Sequence, residues 1–196
     1  SEGGIDFIVM EHIEGENLRT RLKRGPLTVE ETLGYARQVA EALAAAHEKK
    51  IVHRDIKPSN IMIAERGHVK VIDFGLARLG ALLRREELAA TGVQSEPGVV
   101  IGTPYYMSPE QARGLPVDQR TDIYSLGVVM FECLTGRLPF DGETRDDYLL
   151  QVVSGGPPSL DALPRDLSAD MRNLIARCLE RDVSRRILSA TTLTAE

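Results

Sequence analysis

The chain has 196 residues, 42% hydrophobic and 27% charged, with no Trp and a formal net charge of -5. That length suits one domain, at most two, with enough chain to bury a real core. Twenty-four basic residues against twenty-nine acidic ones argue against a constitutive nucleic-acid partner, which requires a concentrated basic face.

The pattern opens on an expected strand, Ile5-Asp6-Phe7-Ile8-Val9-Met10, followed by Glu14-Gly15-Glu16-Asn17 as a turn into a short helix that Gly25-Pro26 ends. Thr28-Val29-Glu30-Glu31 is a capping box for the next helix. Val29, Leu33, Ala36, Ala40, Leu43 and His47 alternate spacings of four and three, predicting one apolar stripe on a long helix that ends near Lys49-Lys50.

Short strands are expected around Ile51-Val52, Ile61-Met62-Ile63 and Val69-Lys70-Val71-Ile72. Leu79 to Pro109 reads as a long loop, with Leu82 to Ala90 forming a helical turn or two. Ile123 to Leu134 is apolar almost all round, the pattern of a central buried helix, with Gly136 as its C-cap and Pro139 forbidding continuation. Asp146 to Val153 predicts a further short helix. Met171, Leu174, Ile175, Cys178 and Leu179 form one helical face after the N-cap Ser168. No internal repeat or low-complexity segment appears.

Cys133 and Cys178 sit far apart in apolar helical patterns, which predicts buried free thiols in a reducing, cytoplasmic setting. The apolar run Ile123 to Leu134 is interrupted by Glu132 and is too short to span a bilayer, so no membrane contact is expected of this segment. The basic clusters at 19–24, 84–85 and 185–186 are expected to be solvated faces or ion-pair partners.

The chemistry concentrates in His53-Arg54-Asp55-Ile56-Lys57-Pro58-Ser59-Asn60, followed by Asp73-Phe74-Gly75. Four fixed residues, each at roughly 5% usage, recur by chance about once in 10⁵ positions. These two segments match H-R-D-L-x-x-x-N and D-F-G, and the chain resembles a eukaryotic-type protein kinase. The phrases Val9-Met10-Glu11 and Met107-Ser108-Pro109-Glu110-Gln111-Ala112 are most similar to the bacterial Ser/Thr enzymes of that superfamily.

The resemblance implies an α+β kinase-like fold: a mainly helical C-terminal lobe with short hairpin strands at the catalytic cleft. Residues 1–16 would be the last strand of the small lobe and the hinge, 17–196 the large lobe, and 73–110 the activation segment. Asp55 would be the catalytic base; with a reference pKa near 3.9 it would orient an alcohol and take its proton late. Asn60 and Asp73 would bind Mg²⁺, or Mn²⁺, and Lys57 would reach the transferring phosphate. Lys57 in this place usually marks Ser/Thr specificity, so the implied reaction moves the γ-phosphate of ATP to Ser or Thr hydroxyls of protein substrates.

By the same resemblance, Thr103 would bond near Asp55 and Lys57. Met10, Glu11 and Ile13 would form gatekeeper and hinge around adenine, with Met62 beneath it, and Lys57 and Asn60 would also touch ATP. Ser95 and Thr91 would be regulatory phosphorylation sites, a phosphate there answering Arg54. His53 and Phe74 would pack under the site, Glu110 would pair with Arg186, and Asp122 would accept backbone N–H groups of the catalytic loop. Val183 and Ile187 stand where Pro and a Pro or aromatic are common, and Tyr124 replaces a frequent Trp.

No G-x-G-x-x-G occurs, and the first lysine is Lys23, already past the hinge. The expectation is therefore a kinase fragment lacking most of the N-terminal lobe, its missing partner, and inactive by itself. A pseudokinase scaffold is the alternative, and a small-molecule phosphotransferase on the same fold is disfavoured by the long segment ending in Ser108-Pro109-Glu110.

Overall fold

The computed structural model describes residues 11–74 and 104–196. Among them, three short strands and seven α-helices are found. In chain order they are β1 (Gly15–Asn17), α1 (Leu18–Leu22), α2 (Val29–Glu48), β2 (Ile61–Ala64), β3 (Val69–Val71), α3 (Pro109–Ala112), α4 (Arg120–Thr135), α5 (Arg145–Ser154), α6 (Ala169–Cys178) and α7 (Ala190–Ala195).

The axis of the molecule is α4. Every residue from Thr121 to Leu134 is buried, as its all-round apolar pattern requires. It stops at Gly136, whose φ of 70° is left-handed and whose N–H donates to the Glu132 carbonyl. Around it pack α2 and α6, and α2 also packs against α7.

The Thr28 capping box forms, with Thr28 Oγ1 accepting from Glu31 N–H and Glu31 returning to Thr28 N–H. The buried face of α2 is Thr32, Val39, Ala40 and Leu43, which shifts the stripe expected from the sequence. Thr32 can be buried because its hydroxyl donates to the Thr28 carbonyl at 2.9 Å. Leu33 is 41% exposed and borders an open cavity of about 670 Å³ between α2, α6 and α7.

The strands form one antiparallel sheet in the order β1-β2-β3. Residues 15–17, read from the sequence as a turn, are instead a strand, because Gly15 pairs with Ala64 and Asn17 with Met62. Only glycine fits at position 15: its φ is 147°, and a Cβ would lie 2.2 Å from the Ile63 carbonyl oxygen. Ile51-Val52 is not a strand; Ile51 N–H is already used by the Ala46 carbonyl at the end of α2. Pro109, placed in a loop by the sequence, begins α3 at the N1 position, with Ser108 as N-cap.

Gln38 fixes the hairpin on α2. Its Nε2 donates to the Gly67 carbonyl at 3.0 Å, and its Oε1 accepts from Val69 N–H at 2.9 Å. The loop between β2 and the end of α2 is thereby brought against α4, where the chemistry-bearing residues collect.

Candidate active site

Residues 53–60 follow α2 without regular structure until the 3-10 turn Pro58–Asn60. What holds them is α4. The Asp122 carboxylate, with no solvent exposure, accepts Arg54 N–H at 2.7 Å, His53 N–H at 2.9 Å and His47 Nε2 at 2.8 Å. A buried carboxylate needs such donors, and two of the three, the His53 and Arg54 N–H groups, also fix the loop's backbone.

His53 is fully buried and braces the loop from below. Its Nδ1 accepts Asp55 N–H at 3.2 Å, which leaves Nε2 to donate to the Ile72 carbonyl at 2.9 Å. The Phe74 ring lies 4.6 Å from the His53 ring, tilted by 56°, with Phe74 36% exposed. Arg54 and Asp73 adopt φ values of 70° and 64°, a left-handed backbone that costs about 1–3 kcal/mol each in a non-glycine residue. The hydrogen bonds to Asp122 offset that strain at Arg54.

Asp55, Lys57 and Asn60 meet directly. Lys57 Nζ donates to Asp55 Oδ2 at 2.7 Å, and Asn60 Nδ2 donates to the Asp55 carbonyl at 2.8 Å and to Oδ2 at 3.2 Å. Asp55 Oδ1 makes no hydrogen bond among the described residues. Asn60 is 5% exposed, and with its amide nitrogen committed to Asp55 its side-chain carbonyl oxygen, which accepts only a long bond from Ser59 Oγ at 3.5 Å, is left as a hard donor. Asp73 makes no hydrogen bond or ion pair to any described residue. Asn60 and Asp73 each carry a hard oxygen donor of the kind that suits Mg²⁺ or Mn²⁺, and the Ile72 N–H bond to the Asn60 backbone carbonyl at 3.0 Å brings the residue before Asp73 against Asn60. Among the described residues, no group of three His, Cys, Asp or Glu side chains could hold a metal, so any cation here would rely on the Asn60 amide.

Glu110 of α3 and Arg186 form a two-point ion pair, Nη1–Oε1 at 2.6 Å and Nη2–Oε2 at 3.0 Å. Burial pushes the Glu110 carboxyl up, but the bonds and charge of Arg186 outweigh it and hold the group below its ordinary value. Val183 and Ile187 do not disturb the pair: Arg185 and Arg186 N–H both turn back to the Asp182 carbonyl.

Met62 is half-buried in β2, paired with Asn17 on one side and Lys70 on the other. Glu11 and Ile13 precede β1, with Glu11 ion-paired to Lys70. Met10, Thr91, Ser95 and Thr103, and the expected helical turn at 82–90, lie outside the described residues. In the basic cluster at 19–24, Arg19, Arg21 and Arg24 pair with Glu132, Glu31 and Glu16.

Three interactions had no notice in the sequence. His47 counted as one member of an apolar stripe, yet it is a ligand of Asp122. Glu132, seen only as an interruption of an apolar run, bonds the Tyr106 hydroxyl at 2.6 Å and Arg19 at 3.3 Å. Its burial pushes the carboxyl above the ordinary range, despite both partners. Gln111 links the loop of residues 53–60 to α4, through the Arg54 carbonyl and the Thr121 hydroxyl. The rule that a charge in an apolar helix needs partners would have found Glu132; nothing local marks Gln111.

The protein kinase domain family matches residues 5–196. The chain belongs to that family. It is similar to the serine/threonine-protein kinase pkn2 of Myxococcus xanthus, with 46% identity over 191 residues, covering 95% of this chain and 22% of that protein. PrkC of Bacillus subtilis is 38% identical over 196 residues, covering 100% of this chain and 29% of PrkC. PknB of Mycobacterium tuberculosis is 38% identical over 196 residues, covering 99% of this chain and 30% of PknB. The chain thus spans less than a third of the length of these relatives, which carry the serine/threonine-protein kinase name. Kinase-family membership of the bacterial type follows directly.

Among the described residues no helix is long and apolar enough to cross a membrane. Cys133 and Cys178 are buried free thiols, each pushed up to about 12 chiefly by burial.

Proposed function

We propose that this chain is the large catalytic lobe of a Ser/Thr protein kinase that transfers the γ-phosphate of ATP to Ser or Thr hydroxyls on proteins. The observation that carries the reading is the contact set of Asp55, Lys57 and Asn60, held on Asp122. Phosphoryl transfer asks a protein mainly for positioning and charge stabilisation, and these residue types supply both.

Asp55 is the base. Its Oδ2 is occupied by Lys57 and Asn60, which leaves Oδ1 to orient the acceptor hydroxyl and receive its proton as the bond to phosphorus forms. Lys57, fixed beside Asp55, offers its ammonium to the migrating phosphoryl group. Asn60 and Asp73 would hold Mg²⁺ or Mn²⁺, whose charge offsets that of the phosphates. Thr103 steadies Asp55 and Lys57, while Met10, Glu11, Ile13 and Met62 accommodate adenine. Phosphorylation at Ser95 or Thr91 adds about two negative charges that Arg54 answers.

Residues 1–16 contribute the last small-lobe strand and hinge, and 73–110 form the activation segment. The 196 residues carry no G-x-G-x-x-G and no lysine before Lys23, so this polypeptide by itself has little ATP affinity or turnover. Cytoplasm suits its two unpaired thiols.

The test is Asp55→Asn in the intact protein, with radiolabelled ATP and a Ser/Thr-containing protein acceptor. Loss of label transfer supports the reading. Undiminished transfer, or a wild-type protein that labels no acceptor, sinks it in favour of a scaffold. Micromolar ATP binding by the isolated 196-residue chain in calorimetry would refute the division of labour between the lobes.

A further inference from the structure

We propose that Gln111 is a positioning residue for Asp55, the terminus of a directed hydrogen-bond chain from α3 and α4 into the catalytic loop; the inference rests on the kinase reading above. Gln111 lies in α3 and its side-chain Oε1 accepts Ser108 N–H at 3.1 Å. A backbone N–H can only donate, so this bond fixes the amide: the oxygen faces Ser108 and the nitrogen faces away. Gln111 Nε2 then donates to the Arg54 carbonyl at 2.8 Å.

The hydroxyls order themselves behind it. Thr121 Oγ1 donates to Gln111 Oε1 at 2.8 Å, so its lone pairs receive the Ser108 hydroxyl at 2.7 Å. Ser108 Oγ in turn accepts Gln111 N–H at 3.3 Å. Every donor in the sequence Ser108, Thr121, Gln111, Arg54 points the same way, and Ser108 and Thr121 are buried. Bonds aligned in this fashion polarise one another in a low-dielectric interior.

The end point is what gives the chain a role. The Arg54 carbonyl is half of the peptide bond that leads into Asp55, and Arg54 itself sits at φ 70°. Asp122 holds the N–H side of Arg54 at 2.7 Å, and Gln111 holds its carbonyl side. With both ends of a left-handed residue clamped, the peptide plane that carries Asp55 has one orientation. Gln111 follows Glu110, the partner of Arg186, so the same short helix that Arg186 ties into the core also sets the angle of the base.

The experiment uses the intact protein, with wild type and Asp55→Asn as references. Gln111→Glu keeps the shape but turns an oxygen toward the Arg54 carbonyl; Gln111→Met keeps the volume and removes all polarity. Thr121→Val breaks the preceding link. The expected result is a fall in kcat of about tenfold or more for Gln111→Glu and Gln111→Met, with KM for ATP and for the protein acceptor within about twofold of wild type. Thr121→Val should lower kcat less, and Thr121→Val with Gln111→Met should be no worse than Gln111→Met alone.

Unchanged kcat in folded Gln111→Met, or a rise in KM with kcat preserved, overturns the proposal. If Gln111→Glu does not fold, Gln111→Met and Thr121→Val decide the matter through the same kcat and KM split. A wild-type protein that transfers no phosphate defeats the kinase reading instead, whereas active wild type with indifferent Gln111 variants defeats only this inference.

Discussion

Glu110 and Arg186 meet 76 residues apart in a two-point ion pair whose guanidinium has no solvent exposure. Arg186 spends its remaining donors on the Glu180, Arg120 and Arg181 carbonyls, at 2.8, 2.9 and 3.5 Å, and stacks over the Tyr124 ring at 5.1 Å. The pair therefore ties α3, α4 and the segment before α7 together.

Glu110→Gln should leave that cation buried without its counter-charge. A loss of about 3–5 kcal/mol is expected, which thermal melting would register as a fall of roughly 6–20 °C. Arg186→Lys should do comparable damage, since an ammonium cannot make the two-point contact and the Glu180 bond together. A shift below about 2 °C in both variants would show the pair to be dispensable.

Two buried carboxyls should pull stability in opposite directions with pH. Burial raises the Glu110 carboxyl but Arg186 more than compensates, so its net folded pKa is lowered. Its contribution is present above the unfolded value of about 4.3 and is lost as pH falls through the folded value. For Glu132 burial prevails over Tyr106 and Arg19, and the folded pKa is raised. Its contribution is full below about pH 4.3 and declines as pH rises through the folded value. Glu132→Gln should therefore gain stability relative to wild type as pH climbs from 4 toward 7, measured by urea titration at each pH; a gap that narrows or stays flat would contradict the assignment.

Tyr124 carries a hydroxyl that is buried without a hydrogen-bond partner among the described residues. Leaving such a group unpaired costs about 1–3 kcal/mol. Tyr124→Phe keeps the ring beneath Arg186 and removes the orphan, so the melting temperature should hold or rise. A loss above about 1 kcal/mol would reveal a partner for that hydroxyl.

Gly127 in α4 sets helix propensity against packing. Ala is favoured over Gly in a helix by about 0.8–1 kcal/mol, yet a Cβ at 127 would lie 2.7 Å from Cys178 Cβ and 3.3 Å from Leu179 Cδ2. Overpacking of this kind costs about 1–3 kcal/mol, so steric conflict wins and Gly127→Ala should destabilise. Denaturant midpoints check it: an unchanged or raised midpoint would mean that α6 can move away from α4 freely.

Local signals made much of this architecture readable. Thr28 with Glu31, Ser168 before α6, Gly136 after α4 and the apolar run between 123 and 134 each act within a turn or two, and each is where the pattern put it. The family was equally plain, because residues 53–60 and 73–75 lie close together in the chain. Residues 15–17 were misread since a strand of three residues is defined by its neighbour, and that neighbour pairs Gly15 with Ala64, Glu16 with Ile63 and Asn17 with Met62, far downstream in the chain. Leu33 and Thr32 exchanged places because burial depends on where α6 and α7 stand, which periodicity along α2 cannot report.

What the amino-acid order determined alone was the local conformation of the long helices and the kinase residue types, because caps, periodicity and short motifs act over a few neighbours. What only the folded molecule decided was which polar atoms meet: Asp122 with the loop 68 residues before it, Glu132 with Tyr106 and Arg19, and Gln111 with Arg54. Those bonds join segments whose approach is driven by burying α4, a non-directional force, and the hydrogen bonds then select one arrangement among those that burial would accept.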